Sequence, residues 1–522
     1  MTAQISAKRN EEHVSRNWLL IAIMVAVIGL YIGLRIWSLW TPHLWGDEVF
    51  SFSLSQGSWL TLFKRAGLDM IHPPLFYFPL KLWIYVTGSS VPGLRILPVM
   101  FSIVSIVPLI ILGRKLSFQM PVIVLTLALA AVNNYLILYS YYLRSNSLLL
   151  LLSLSSQAVF VMLLRSRSTN QKQTLVALTL VNIVFVYTHY FAWFMIVGEY
   201  LWILVRDRKH LRSLTFATAI IVLSYLPWIG VIVYVSTQVS YTFLDKLTWY
   251  YPPGVRSLLL LFRCFQGGFN STALTLTGSF IVLVIVLAGL KNFSGSDSKD
   301  PNRERNLNPY TLLLWLSAFP IISSEVVGRI FTWKWEPRYL ILVTGSYLLL
   351  VSASAFSLRN HYLRALAIVF LLAWSSIAGF TDNLAEVLHG PDGPSLLLAR
   401  DLSQKEPRNV GPINIYGLSP YVEQGLRLAL NLTGERRFQT KQCAPDVTLS
   451  DDYFWLAVAE HDPIAMARVT QLSSGQLYDL GERLYRGEYP ERHILIPVRR
   501  RNLFAWRTSS TVMLRRERVV DD

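Results

Sequence analysis

The sequence predicts a polytopic α-helical membrane protein of about 11 transmembrane helices, followed by a small C-terminal extracytoplasmic α/β domain. Three observations carry that reading. The 522 residues are 53% hydrophobic and only 15% charged, with a mean hydropathy of +0.40, whereas soluble domains carry about 25% charged residues. Apolar runs long enough to cross about 30 Å of hydrocarbon recur up to residue 380. Beyond that point the runs shorten and turn into alternating strand-like and helix-like segments.

Residues 1–17 are polar and charged, and form a cytoplasmic N-terminal segment ahead of the first apolar run. That run, 18–40, is too long for the core of a signal peptide and lacks a small-residue cleavage site, so it reads as a retained anchor. Further spans are expected near 92–113, 119–140, 146–164, 174–190, 191–205, 213–236, 271–290, 309–326, 339–358 and 362–380. The membrane domain is therefore 18–380.

Positive charge sets the orientation. Lys8, Arg9 and Arg16 precede the first span, and Arg114 with Lys115, Arg165 with Arg167 and Lys172, Arg206 with Arg208, Lys209 and Arg212, Lys291 through Arg305, and Arg359 with Arg364 fall in alternate loops. These loops are expected in the cytoplasm. The opposite ones, 41–91, 141–145, around 190, 237–270 and 327–338, then face outward, as does 381–522. The net charge of +16 is a topology signal and excludes no more than it suggests about nucleic acid, because 381–522 holds 18 Lys plus Arg against 19 Asp plus Glu. No nucleic-acid partner is expected.

In the C-terminal domain, Val410–Tyr416, Tyr453–Ala459 and Ile494–Val498 read as strands, and Pro420–Leu432 and Pro463–Leu472 as amphipathic helices. The two cysteines, Cys264 and Cys443, make neither a disulfide framework nor a metal motif.

The outer ends of the spans gather ionisable groups. Leu44-Trp45-Gly46-Asp47-Glu48 places two carboxylates just past the first span, where a charge near hydrocarbon is a functional-site hypothesis by default. Asp47 reads equally as the N-cap of a short interfacial helix starting at Glu48. His72 heads His72-Pro73-Pro74, whose proline pair fixes a rigid turn whatever else it does. Arg95 and Arg144 fit snorkelling side chains. His189, in Tyr187-Thr188-His189-Tyr190, fits an interfacial histidine, and Trp228 and the segment Trp249-Tyr250-Tyr251-Pro252-Pro253 fit an aromatic belt. Arg338 and Tyr339 follow Glu336-Pro337.

Taken in order, Trp45-Gly46-Asp47-Glu48, His72-Pro73-Pro74-Leu75 with Tyr77, Gly93-Leu94-Arg95, Tyr187-Thr188-His189-Tyr190-Phe191, Leu226-Pro227-Trp228 and Arg338-Tyr339-Leu340 resemble the motifs of GT-C integral-membrane glycosyltransferases. The likeness is to the family 39 and 83 branch, which includes protein O-mannosyltransferases and lipid A aminoarabinose transferases. It covers roughly 18–360. One departure stands out. Many bacterial members carry Glu-x-Arg-x-Tyr where this chain has Tyr142, Arg144 and Asn146.

The resemblance implies a glycosyltransferase in the bacterial inner membrane that moves a sugar from a polyprenyl-phosphate donor to an acceptor lipid, glycan or protein outside the cytoplasm. It makes 41–91 the catalytic first outer loop. A base must face the anomeric carbon opposite the leaving group, and Asp47 matches the leading acid of the family motif, with Glu48 beside it. A lipid phosphate leaves as a stable anion and needs cations instead of a general acid. Arg95, Arg144 and Arg338 can grip it with paired donors, and His72, His189 and Tyr339 can hydrogen-bond phosphate or sugar. No spacing demands a metal; Asp47, Glu48 and His72 are the groups able to hold a divalent ion. The alternative readings are a transporter or flippase of lipid-linked saccharides, whose polar residues would gather at the membrane midplane, and a non-catalytic envelope scaffold.

Overall fold

A computed structural model describes the chain from residue 2 to 406 apart from 41–43, 45, 167–169, 239–252, 267–270, 295–306, 332–335 and 390–393, and beyond 406 the strands and parts of the helices up to 500; side chains of 1–17 and 379–397 are also left undescribed. The described residues form two units, Met1–Pro42 with Phe50–Pro391, and His43–Val49 with Asp392–Asp522.

Every apolar run of the first unit is helical. Among the described residues eight helices are long and apolar enough to cross a membrane: Trp18–Trp40, Val91–Lys115, Asn146–Leu164, Arg208–Gln238, Thr272–Lys291, Pro309–Ile330, Pro337–Phe356 and His361–Ala378. The last continues to His389, past the expected end at 380. The protein is thus an integral membrane protein. Side chains such as Leu19, Phe216, Leu223 and Phe280 are exposed on the bundle's rim, where hydrocarbon rather than water is the solvent. Pro337–Phe356 is the opposite case, with Leu340, Leu342, Val343 and Ala353 fully enclosed.

The run 119–140 is one apolar segment in sequence but two helices in space, Met120–Val132 and Asn134–Tyr141, bent by 63°. Asn133 causes the break. It leaves the helical region, and its Oδ1 accepts from the Leu136 N–H at 3.0 Å as the N-cap of the second half. Its amide donates to the Phe265 carbonyl at 3.0 Å. The carbonyls freed at the end of the first half are taken by Arg35, a fully buried arginine in the first span, which donates to Ala130 O at 2.9 Å and Ala131 O at 3.2 Å and stacks on the Tyr31 ring. A cation at a helix C-terminus suits the dipole there. The run 174–205 also divides, into Gln171–Val186 and Ala192–Arg206, of 16 and 15 residues. A buried polar contact ties both to a third helix, since Ser156 Oγ lies 2.7 Å from Asn182 Oδ1 and 2.9 Å from Glu199 Oε1.

Small residues set the closest helix approaches. A Cβ built on Gly289 would lie 2.7 Å from the Ser354 Cα, and one on Gly345 would lie 2.5 Å from Leu154 Cδ2. Close backbone contact through such residues is how membrane helices pack without a hydrophobic drive between them.

Between the first two spans the chain forms three short helices, Gly46–Leu54, Trp59–Asp69 and Tyr77–Thr87, with a 3₁₀ turn at Pro74–Phe76. Ser58 caps the second by accepting from Thr61 N–H at 3.1 Å. That helix buries Leu62 and Ala66 while Trp59, Leu60, Phe63 and Leu68 are exposed, the pattern of a helix lying in a membrane interface.

In the second unit, strands β1 (Ile413–Gly417), β2 (Phe438–Gln442), β3 (Tyr453–Ala459), β4 (Tyr478–Leu480), β5 (Leu484–Arg486) and β6 (His493–Arg500) form one sheet of order β2-β1-β3-β6-β4, with β5 also on β6. β1 is parallel to β2 and β3, and β6 is antiparallel to β3. Alternation along the strands fills both faces. Ile413, Ile415, Trp455 and Leu495 pack with Leu398 and Leu402 of the helix Pro394–Lys405, while Phe454, Leu456, Ile496 and Val498 pack with Val469. The sequence reading found β1, β3 and β6. It missed β2, β4 and β5, which are short or rich in polar residues.

Candidate active site

Asp47 and Glu48 lie in the first turn of the helix Gly46–Leu54, Asp47 half-buried and Glu48 fully buried. The helix starts at Gly46, so Asp47 stands inside its first turn and is not the residue ahead of it. Unsatisfied N–H groups and the positive end of the dipole favour carboxylates there. The other end of the helix is met by cations, with Arg65 donating to Ser53 O at 2.8 Å and the buried Lys81 to Ser55 O at 3.3 Å.

In the first unit a buried polar cluster is built around His72. The helix Trp59–Asp69 ends at Met70, a non-glycine residue in the left-handed region at φ 56°, a conformation that costs about 1 kcal/mol. Its carbonyl accepts the Tyr190 hydroxyl at 2.6 Å, and Leu75 N–H donates to Tyr187 O at 3.1 Å. The turn before Pro73-Pro74 is thereby bonded to the turn 187–190. Asp69 Oδ2 accepts from the His72 backbone N–H at 3.1 Å and lies 2.8 Å from its Nδ1. The other ring nitrogen, Nε2, is 3.0 Å from Arg144 Nη2. A guanidinium can only donate. Nε2 therefore accepts and Nδ1 carries the proton, which it gives to Asp69: His72 is neutral and its tautomer is fixed from both sides. Arg144 also donates to Ser51 Oγ at 3.3 Å and lies over the Phe50 ring.

His189 joins the cluster through ring contacts, 6.4 Å from His72 and 4.6 Å from Tyr339 between centroids. The Phe191 N–H donates to its Nδ1 at 3.2 Å, so its proton sits on Nε2, opposite to His72. Burial first, and then the nearby Arg144 and Arg338 cations, hold the His189 imidazole well below its ordinary value. Arg338 is paired with Glu336, Nε to Oε2, at 2.5 Å, and its carbonyl accepts from Asn146 at 3.3 Å. The structure thus brings together His72, Arg144, His189 and Tyr339, with Arg338 beside them.

Other expectations change. Arg144 and Arg95 do not snorkel: both are buried, and Arg95 lies over the Tyr141 ring. Trp228 is not a belt residue. It is 4% exposed and donates through Nε1 to the Tyr190 hydroxyl at 3.3 Å. Burial pushes the Tyr190 phenol up. The segment 249–252 and Cys443 lie outside the described residues, and Cys264 is a free thiol. Asp69 was not singled out in the sequence, and Glu336 was named beside Arg338 without a role. Their only sequence signal is an acid three before the histidine and two before the arginine. Among the described residues no three His, Cys, Asp or Glu side chains gather to hold a metal ion.

No protein-family model matches the chain, and no curated protein sequence matches it. Solved structures do match, and what they share with this chain is its fold. ArnT from Cupriavidus metallidurans in the apo state superposes with a TM-score of 0.55 at 13% identity, over 92% of this chain and 98% of that one. The same protein bound to undecaprenyl phosphate gives a TM-score of 0.57 at 13% identity, over 90% and 97%.

Proposed function

We propose that the protein is an inverting glycosyltransferase that takes a sugar from a polyprenyl-phosphate donor and passes it to a hydroxyl acceptor on the extracytoplasmic side of a bacterial inner membrane. The observation that carries this reading is the likeness, over 90% of the chain, to a transferase solved with undecaprenyl phosphate bound. The alternating positive loops support the orientation.

In this reading the Asp47 carboxylate takes the proton of the acceptor hydroxyl as its oxygen attacks the anomeric carbon. The bond from that carbon to the phosphate oxygen breaks, and the lipid phosphate departs as an anion. Glu48 orients Asp47 or the acceptor. Arg144, Arg338 and Arg95 are the candidate phosphate groups; Arg144 is favoured because it sits in the buried cluster, 3.0 Å from His72 Nε2 and 3.3 Å from Ser51 Oγ. His72, His189 and Tyr339 supply hydrogen bonds to phosphate or sugar. A divalent ion would draw on Asp47, Glu48 or His72, but no ligand set of three is gathered among the described residues, and no step is routed through one.

The test is transfer by the purified protein in lipid nanodiscs offered radiolabelled polyprenyl-phosphate sugars, wild type beside Asp47→Asn. Donor consumption by wild type alone is expected. Equal turnover by both would move the base to another residue, and none by either would remove the enzyme reading.

A further inference from the structure

We propose that Asp69 is a positioning residue for Arg144, acting through His72. The inference rests on the reading of Arg144 as a donor-phosphate group and adds a residue that this reading did not contain.

The geometry is a directed chain. Asp69 Oδ2 holds His72 at two points, the backbone N–H at 3.1 Å and Nδ1 at 2.8 Å. The ring can then present only a lone pair at Nε2, and Arg144 Nη2 donates to it at 3.0 Å. All three residues are buried, with exposures of 9%, 7% and 6%. The order is enforced by what each group can do. A carboxylate only accepts, a guanidinium only donates, and a neutral imidazole between them has one arrangement that satisfies both. With the carboxylate removed, the proton is free to move to Nε2, where it would face the Arg144 N–H and push the guanidinium away. Ser51 Oγ accepts from Nη1 at 3.3 Å, so the His72 contact is the one that fixes Nη2, and its loss would free that end of the guanidinium to turn.

Helix geometry gives a second reason to read Asp69 this way. A carboxylate in the last turn of Trp59–Asp69 sits at the negative end of the helix dipole, where an acid is disfavoured. Its place is not explained by capping. Its hydrogen bonds to His72 do explain it.

The test pairs a spectroscopic readout with a binding one. Full-length protein carrying ring-¹⁵N histidine is reconstituted in proteoliposomes, and the His72 signals are identified by their loss in His72→Gln. Wild type should show the Nδ1–H tautomer. Asp69→Ala should lose it and bind undecaprenyl phosphate about tenfold more weakly, the loss expected of one charge-assisted hydrogen bond. Asp69→Asn, whose amide oxygen can still accept from Nδ1, should keep the tautomer and bind within about threefold of wild type. An Nε2–H tautomer in wild type, or an Asp69→Ala protein with unchanged tautomer and affinity, would overturn the proposal. Arg144→Ala separates the two levels. If it binds undecaprenyl phosphate as wild type does, the donor-site reading of Arg144 fails and the role of Asp69 fails with it; if it binds weakly while Asp69→Ala does not, only the role of Asp69 fails.

Discussion

His72 and His189 stand 6.4 Å apart with their protons fixed on opposite nitrogens, one by Asp69 and Arg144, the other by the Phe191 N–H. This arrangement has a pH cost at His189. Its folded value is depressed by burial and nearby cations, while in the unfolded chain it returns to about 6.5. As pH falls below that unfolded value the unfolded state gains a proton that the folded state refuses, so stability declines down to the folded value. His189→Asn, which keeps an acceptor near Nδ1 but cannot ionise, should lose less stability than wild type between pH 7.5 and 5.5 in thermal melts of detergent-solubilised protein. Parallel declines in the two proteins would refute this. Candidate residues at this scale were legible as residue types near span ends: His72, Arg144, His189 and Tyr339 all meet. Their partners were not, because Asp69 and Glu336 act through side-chain geometry that no spacing records.

Hydropathy locates helices and is blind to where they bend. Asn133 and Asn134 are two polar residues inside an apolar run, too few to bring a 20-residue average below that of a span, yet the run turns by 63° there. The break works because Arg35, from a different span, supplies donors to Ala130 and Ala131. Arg35→Met should leave those buried carbonyls without that partner and cost about 1–3 kcal/mol for each one orphaned. A lowered melting temperature is expected, and melting identical to wild type would show that the carbonyls find other donors. An arginine in the middle of Leu34-Arg35-Ile36 is visible in sequence; its target, 95 residues away, is not. Of the short helices between the first two spans, the first was expected only as one of two readings of Asp47-Glu48 and the other two were read as loop, since each is under a dozen residues.

At the scale of the whole molecule, a likeness at 13% identity over nearly the full length means that the order and spacing of the helices persist where side chains have changed. Order and spacing are also what hydropathy reads, so the membrane fold was largely legible. The second unit was less so, because short edge strands such as β4 and β5 carry little pattern. Its sheet is nonetheless covered on both faces by its own residues. Residues 392–522 expressed alone should therefore fold cooperatively, which circular dichroism and a single thermal transition would check. A non-cooperative melt would mean that this core needs the rest of the chain.

Gly289 has a bearing on how the protein can vary. Every missense change of its codon introduces a Cβ, and the space for that carbon is already held by Ser354 Cβ at 2.6 Å and Ser354 Cα at 2.7 Å. Backbone cannot swing aside as a side chain can. In a saturation library the position would tolerate only synonymous codons, unless a second mutation elsewhere moved one whole helix; inheritance at this site is coupled to the separation of two helices rather than to any chemistry they perform.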